Sequence, residues 1–232
     1  MILGGLLKNS FIDYPGKISA VLFLTGCNFR CPYCHNPDLA HGLTGPHDFL
    51  QEERVFEFLE NRRGLIEGVV ITGGEPAICP DLVRICKKVK NLGYPVKLDT
   101  NGSRPGVIKK LIDSALIDYI AMDIKTDPDN YGHLIWKQVK PAKIIASAGI
   151  IMSSGLDYEF RTTCLKPFID EKIIEKISGI IKGAGLYVLQ RCNQERVLNR
   201  AFFNNNERLI KEDELKRLKM IASEQVAEVV IR

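Results

Sequence analysis

The stretch GCNFRCPYCHNP, residues 26–37, decides how the rest of the chain is interpreted. It follows a largely apolar run, residues 18–24, that predicts a buried strand, and it places Cys27, Cys31 and Cys34 on one loop with C-x3-C-x2-C spacing. Three thiolates on one loop can bind one metal centre. A structural zinc ion or an electron-transfer cluster usually has four protein ligands, so three leave a coordination position open for chemistry.

Zinc binding and disulfide formation account less well for the cysteines. His35 could complete a Cys3His zinc site, but it is adjacent to Cys34, and neighbouring side chains rarely both reach one tetrahedral ion. No second ligand pair follows at the spacing of a zinc finger. A disulfide is disfavoured because seven cysteines is an odd number and no secretory signal is present. The motif favours an iron–sulfur cluster over zinc and over inert thiols.

A second motif lies one strand–helix unit further along the chain. The apolar run 69–71 is followed by Thr-Gly-Gly-Glu-Pro at residues 72–76. Two glycines at the end of a strand allow the backbone to approach a ligand closely, because no Cβ atom intervenes. A glycine pair after a strand is common and by itself says little about function. One strand–helix unit after the cysteine loop, it is strong evidence for a ligand-binding site.

Together the two motifs resemble those of the radical S-adenosylmethionine (SAM) superfamily, C-x3-C-x-aromatic-C and GGEP, with Tyr33 at the aromatic position. The resemblance implies one [4Fe–4S] cluster held by Cys27, Cys31 and Cys34, whose fourth iron is chelated by SAM. Reductive cleavage of SAM would then release a 5′-deoxyadenosyl radical that abstracts hydrogen. It also implies that Tyr33 lies against the adenine and that the SAM amino group is held by Gly73, Gly74 and Glu75.

Composition agrees with one soluble enzyme domain over residues 1–232. No apolar run is long enough to span a membrane, and a net charge of +4 without an aromatic and basic platform argues against nucleic-acid binding. Reduced cysteines and an oxygen-sensitive cluster indicate the cytoplasm of an anaerobic cell.

Apolar strands alternate with amphipathic helices, which predicts a parallel sheet buried on both faces. The six predicted strands cover residues 18–24, 68–72, 96–99, 119–123, 158–163 and 186–190, and the clearest helices cover 81–92 and 170–182. Six such units fit the partial (β/α)6 barrel of radical SAM enzymes, with chemistry at the carboxyl ends of the strands. Residues 1–17 are expected to be a lead-in, and residues 191–232 a loop, a helix and a final strand. Residues 191–207 could be a flap over the barrel mouth or a surface connection.

Polar residues follow the third and fourth predicted strands. Asp99, Thr100 and Asn101 belong to a D-T-N-G sequence, and Asp123 and Lys125 to a D-x-K sequence. A salt bridge between Asp123 and Lys125 is geometrically reasonable, since residues two apart on a strand share a face. In glycyl-radical activating enzymes, which these sequences resemble, both lie at the SAM site. The resemblance implies a monovalent cation at Asp99, Thr100 and Asp123, and a ligand or partner contact for Lys125.

Arg161 lies near the end of the fifth predicted strand, where an arginine is costly unless it meets an anion. The resemblance suggests the SAM carboxylate or ribose region as that anion. Gln190 ends the sixth strand and is a candidate ribose contact, although a glutamine there is as often structural.

The N-terminal sequence SFIDYPG, residues 10–16, followed by VLFLTGCNFRCPYCHNP resembles the activating proteins of anaerobic ribonucleoside-triphosphate reductase. Such proteins remove hydrogen from the Cα atom of a glycine in a partner enzyme, with a flavodoxin or ferredoxin as the expected reductant. The turn Asp13, Tyr14, Pro15 and Gly16 would help dock the glycine loop; alternatively it is a plain β-turn.

The sequence leaves three different functions open. The chain could activate another glycyl-radical enzyme, of the pyruvate formate-lyase type, or act on a small molecule like 7-carboxy-7-deazaguanine synthase. A different class is a non-enzymatic metal-binding module built on the cysteines and His35. Cys79, Cys164 and Cys192 form no spaced motif, so only one cluster is predicted and their roles are open.

Overall fold

The computed structural model describes residues 3–42, 50–133, 140–195, 197–204 and 208–232. Of the connection 191–207, residues 196 and 205–207 therefore lie outside the described residues. None of the described helices is both long and apolar enough to cross a membrane. The chain forms two compact units. The first contains the described residues up to 28, from 36 to 100 and from 106 to 120; the second contains 29–35, 101–105 and those from 121 onward.

Strands that follow one another along the chain are neighbours in the sheet of the first unit, and those after the first run parallel. Strand β1 (Leu3–Tyr14) pairs antiparallel with β2 (Lys17–Leu24), and β2, β3 (Gly68–Gly73) and β4 (Val96–Thr100) run parallel. The accompanying helices are α1 (Pro37–His41), α2 (Glu52–Asn61), α3 (Leu82–Asn91) and α4 (Pro105–Asp113).

The apolar runs explain this arrangement. Val69, Val70 and Ile71 of β3 are fully buried, as a parallel strand covered on both faces requires. Helix α3 turns one apolar face inward, formed by Leu82, Ile85, Cys86 and Val89. Burying an aliphatic side chain of this size contributes roughly 1.5–3 kcal/mol. The alternation of strands and helices predicted from these runs is confirmed.

The N-terminal lead-in contains an element that the apolar pattern did not predict. Residues 3–14 form strand β1, whose turn onto β2 closes at the pair Tyr14–Lys17. Gly16 has φ +70°, which glycine adopts at little cost in this tight turn. Register shifts interrupt the pairing on both sides of Ser10, and Phe11 and Ile12 are 75% and 86% exposed. Because burial does not alternate regularly here, the strand signal in the sequence is weak.

The second unit repeats the parallel order. Strands β6 (Asp157–Cys164), β7 (Leu186–Arg191) and β8 (Glu228–Ile231) pair in parallel in chain order. The helices are α5 (Pro141–Met152), α6 (Glu171–Ile180) and α7 (Glu212–Ser223). The final helix and strand expected within residues 191–232 are present.

Strand β5 (Tyr119–Asp123) supplies residues to both units. In the first, Asp118 N donates to Val96 O at 2.8 Å, beside the start of β4; in the second, Ile124 N donates to Arg161 O on β6, also at 2.8 Å. All six predicted strands are present, each within one residue of its predicted bounds. The predicted α/β class with parallel strands is confirmed.

Candidate active site

The segment after β3 packs against the start of the cysteine loop. Gly74 N donates to Leu24 O at 2.9 Å, and Glu75 N donates to Gly26 O at 2.8 Å. A Cβ atom on Gly73 would lie 2.2 Å from Leu24 O, and one on Gly74 would lie 2.0 Å from Gly26 O. No side chain can approach a backbone oxygen so closely, so this contact requires glycine at both positions.

The side chain of Glu75 is buried and accepts hydrogen bonds from neighbouring described residues. Its Oε1 accepts hydrogen bonds from Thr100 Oγ1 at 2.7 Å and from Ala77 N at 3.0 Å. An isolated buried carboxylate is strongly disfavoured, so these donors are what allow Glu75 to lie inside the protein. The bond from Ala77 stabilises the turn that follows β3, and the bond from Thr100 connects this turn to the end of β4.

Asp99 is paired with Lys97, a residue for which the sequence patterns predicted no role. Lys97 is 1% exposed, and its Nζ donates to Asp99 Oδ1 in an ion pair. The ammonium also lies 5.8 Å from the centre of the Tyr119 ring. A lysine two residues before an aspartate in an otherwise apolar strand is the signal that could have revealed the pair, because such residues share a face.

In the second unit, buried and more exposed residues alternate along residues 29–35 of the cysteine loop. Cys31 is buried, and Cys34 N donates to Cys31 O at 3.0 Å in a tight turn. Burial raises the pKa of the Cys31 thiol to about 11, against the lowering effect of the Lys125 charge. Tyr33 is also buried, its ring centre 5.8 Å from that of Phe168.

All seven cysteines lie in the described part of the chain, and none of them is in a disulfide; Cys27 and Cys34 are partly exposed. Among the described residues, no three His, Cys, Asp or Glu side chains are grouped closely enough for a single metal ion. A [4Fe–4S] cluster makes a different demand, because each thiolate binds its own iron. A loop that carries three thiols at C-x3-C-x2-C spacing has the donor chemistry that such a cluster requires.

Asp123 forms the centre of a charged group at the end of β5. Its Oδ2 lies 2.8 Å from Lys125 Nζ, and its Oδ1 lies 2.8 Å from Arg161 Nε. Burial alone would raise the pKa of Asp123, but the charges of Arg161 and Lys125 outweigh it and hold that pKa well below its ordinary value. The salt bridge between Asp123 and Lys125 is present, and Arg161 contacts the same carboxylate. The predicted contact of Arg161 with SAM stays a prediction.

A second carboxylate near Arg161, that of Glu159, was not predicted from the sequence. The side chain of Glu159 is 2% exposed, with Oε1 3.8 Å from Arg161 Nη1 and Oε2 3.0 Å from Arg232 Nη1. Glu159 and Arg161 are two residues apart on β6, so they project to one side of the sheet. Opposite charges at this spacing are the sequence signal for the pair.

Asn101 and Gln190 occupy less distinctive positions. Asn101 is buried, and its Oδ1 accepts from Ser103 N at 3.0 Å in the turn before α4. Gln190 is half-buried near the end of β7, opposite Thr163 in the parallel register. Their predicted contacts with SAM stay predictions.

Part of the 191–207 connection lies along the cysteine loop. Leu198 N donates to Cys34 O at 3.0 Å, and Asn199 N donates to Pro32 O at 2.9 Å. Phe202 stacks on Phe168 with ring centres 5.6 Å apart. The described residues 197–204 are therefore a strap bonded to the loop that carries Cys34, rather than a free surface connection.

The turn predicted to dock a partner divides into a buried and an exposed part. Tyr14 is 4% exposed and packs against Tyr119, with ring centres 5.9 Å apart. Its ring belongs to the core, whereas the neighbouring Phe11 and Ile12 project outward. These two exposed apolar residues were missed as candidates.

Comparison with known proteins identifies the class. The radical SAM superfamily profile matches residues 21–178, more than half of the chain, so the protein belongs to that superfamily. The crystal structure of Streptococcus suis SuiB bound to S-adenosylmethionine is similar to it, with a TM-score of 0.62 over 91% of this chain and 51% of that one. At 15% identity this likeness shows the fold, and the predicted radical SAM fold is confirmed.

Two relatives narrow the family. A candidate glycyl-radical enzyme activating enzyme of Methanocaldococcus jannaschii is 36% identical and aligns over 100% of this chain and 95% of its own. The pyruvate formate-lyase-activating enzyme of Clostridium pasteurianum is 31% identical over 74% of this chain and 72% of its own. The chain belongs to the glycyl-radical activating enzymes of the radical SAM superfamily. It is therefore an enzyme, and the non-enzymatic metal-binding module is excluded.

Proposed function

We propose that this enzyme generates a glycyl radical on anaerobic ribonucleoside-triphosphate reductase, in the cytoplasm, with electrons from a flavodoxin or ferredoxin. The full-length similarity to a candidate glycyl-radical activating enzyme is the observation that carries the proposal. The choice of partner is supported by residues 10–16 and the cysteine loop, which resemble the activating proteins of that reductase.

The thiolates of Cys27, Cys31 and Cys34 would hold a single [4Fe–4S] cluster, and residues 73–75 would bind the SAM amino group. When bound, the cluster and SAM supply one-electron chemistry that removes a hydrogen atom from carbon. The protein encloses Cys31 and Tyr33, which keeps water from this part of the site. Keeping water out protects reactive species from side reactions.

Lys125 and Arg161 are suited to the SAM carboxylate. Both are positively charged and largely buried. The Asp123 carboxylate holds both in place, because its oxygens lie 2.8 Å from Lys125 Nζ and 2.8 Å from Arg161 Nε. A cationic pair oriented before the ligand arrives binds an anion with little reorganisation. Glu159 in turn orients Arg161, so its contribution is to position the guanidinium rather than to touch SAM.

The partner's glycine loop is expected to approach the hairpin of β1 and β2. Asp13, Pro15 and Gly16 lie at its turn, and the exposed Phe11 and Ile12 add apolar surface next to it. Exposed apolar side chains grouped at one place favour contact with another protein.

The test is activation of purified candidates. The reconstituted enzyme, a flavodoxin reductant and SAM are mixed without oxygen with either the anaerobic reductase or pyruvate formate-lyase, and the glycyl radical is measured by EPR. We expect a radical doublet on the reductase, and none on a reductase whose radical-bearing glycine is replaced by alanine. A doublet on pyruvate formate-lyase alone would assign the enzyme to that partner instead.

A further inference from the structure

The environment of Asp99 differs from that of a carboxylate prepared to bind an inorganic cation. The resemblance to activating enzymes assigns Asp99, Thr100 and Asp123 to a monovalent cation. In this protein the Lys97 ammonium already bonds Asp99 Oδ1.

With Lys97 in place, Asp99 does not fit an inorganic monovalent cation. Such an ion needs oxygen ligands whose negative charge is available to it. An ammonium at hydrogen-bonding distance neutralises the Asp99 carboxylate and repels a second cation placed against it. The conflict is electrostatic, and it arises within one strand, between residues two positions apart.

We propose that Lys97 is a built-in replacement for the monovalent cation, supplying the positive charge at Asp99 from the protein itself. Lys97 is the second residue of β4, opposite Val70 of β3, and is 1% exposed. A lysine so deeply buried is unfavourable without a compensating anion. Asp99 provides that anion, and the face of the Tyr119 ring lies 5.8 Å away.

Lys97 is a positioning residue on this account, because it acts through Asp99. It fixes the carboxylate and sets the local charge without an exchangeable ion. The part of the inference that concerns SAM rests on the proposed function. The part that concerns ion binding does not, and it can be tested without a partner enzyme.

The test compares thermal unfolding of the reconstituted full chain in potassium chloride and in tetramethylammonium chloride at equal ionic strength. The wild type and the control Lys109→Met, which removes an exposed lysine from an ion pair on α4, should unfold at the same temperature in both salts. Lys97→Met removes the ammonium from Asp99 and should let potassium take its place. A potassium concentration about ten times its dissociation constant should raise the midpoint of that variant by roughly 3 °C.

Two more variants separate ion replacement from a merely structural role. Lys97→Arg keeps the charge and should show no potassium response. The double variant Lys97→Met/Asp99→Asn removes the carboxylate and should lose the response of the single variant. A potassium response in the wild type, or none in Lys97→Met, overturns the proposal.

Lys97→Met could fail to fold in both salts. The affinity of the wild type for SAM, measured by equilibrium dialysis in each salt, then decides the matter. Equal affinities support a built-in cation, and tighter binding in potassium overturns it. Failure of radical transfer to the reductase would leave all of these outcomes unchanged, so the two proposals fail separately.

Discussion

Thr100 Oγ1 lies 2.7 Å from Glu75 Oε1, and both side chains are buried. A carboxylate only accepts hydrogen bonds when ionised, so the hydroxyl is the donor. The bond joins the end of β4 to the segment that follows β3, and that segment contacts the cysteine loop through Gly26. The ordering of the Gly-Gly-Glu motif therefore depends on a residue of the D-T-N-G motif.

Replacing Thr100 by valine removes this donor while keeping the shape of the side chain. The free energy of unfolding should fall by about 2 kcal/mol, because a buried carboxylate loses one of its hydrogen bonds. Urea denaturation measures the change. In a double-mutant cycle, Thr100→Val should cost less stability in a Glu75→Leu background, where the hydroxyl has no carboxylate to donate to, than in the wild type. Fully additive losses would show that the two side chains are not coupled.

Gly74→Ala should prevent correct packing of the segment on the cysteine loop. The added Cβ atom would meet Gly26 O at 2.0 Å, so the backbone must shift. Forcing atoms into a packed interior costs typically about 1–3 kcal/mol, and we expect iron content and SAM binding to fall together. The matched control is Gly106→Ala on α4, where a Cβ atom meets nothing within 4 Å. Equal iron contents in the two variants would contradict the packing argument.

Leu198→Pro tests the strap over the cysteine loop. Proline has no backbone N–H, so the bond to Cys34 O, 3.0 Å in the native protein, cannot form. Losing this hydrogen bond should destabilise the contact between the strap and the loop by about 1.4 kcal/mol. The equilibrium constant for opening of the strap should then rise about tenfold. We expect the reconstituted cluster to be lost to a chelator about tenfold faster than in the wild type. The control Leu198→Ala keeps the backbone amide and should lose iron at nearly the rate of the wild type. If Leu198→Pro and Leu198→Ala lose iron equally fast, the leucine side chain, and not the hydrogen bond, protects the cluster.

The pH dependence of stability should include a contribution from Glu52. Hydrogen bonds from Arg84 and Lys88, 2.6 and 2.5 Å long, lower the pKa of Glu52 from 4.5 to about 2. A depressed pKa means that the stabilisation is complete above pH 4.5 and is lost as the pH falls from 4.5 towards 2. Both cations are partly exposed, which limits the effect to about 1 kcal/mol.

The measurement is urea unfolding of the wild type and of Glu52→Gln across this pH range. The difference between the two should be constant at neutral pH and should shrink as the pH approaches 2. A difference that stays the same at low pH would mean that the ion pair does not contribute.

Much of the fold follows from local patterns in the sequence. The runs ending at Leu24 and Ile71 are short, apolar and bounded by glycine or polar residues, which indicates buried parallel strands. Gly73 and Gly74 were identified because a close backbone approach needs glycine. In the structure the nearest approach of these glycines is to the protein's own backbone, at Leu24 and Gly26.

Several features have no local signal. Strand β1 depends on pairing with β2, and its irregular register removes the alternation that would identify it. Leu198 and Asn199 reach the cysteine loop through backbone amides, which any residue except proline carries. Lys97 is different, because its spacing from Asp99 is a local signal, but the sequence does not show that this lysine is buried.

The central claim is that three cysteines hold a cluster that binds SAM at its open iron. EPR of the reduced, anaerobically reconstituted protein, recorded before and after adding SAM, tests it most directly. We predict a [4Fe–4S]+ signal whose shape changes with SAM and which is absent in Cys31→Ala. A cluster signal that is indifferent to SAM, or bound zinc with no cluster, would contradict the account.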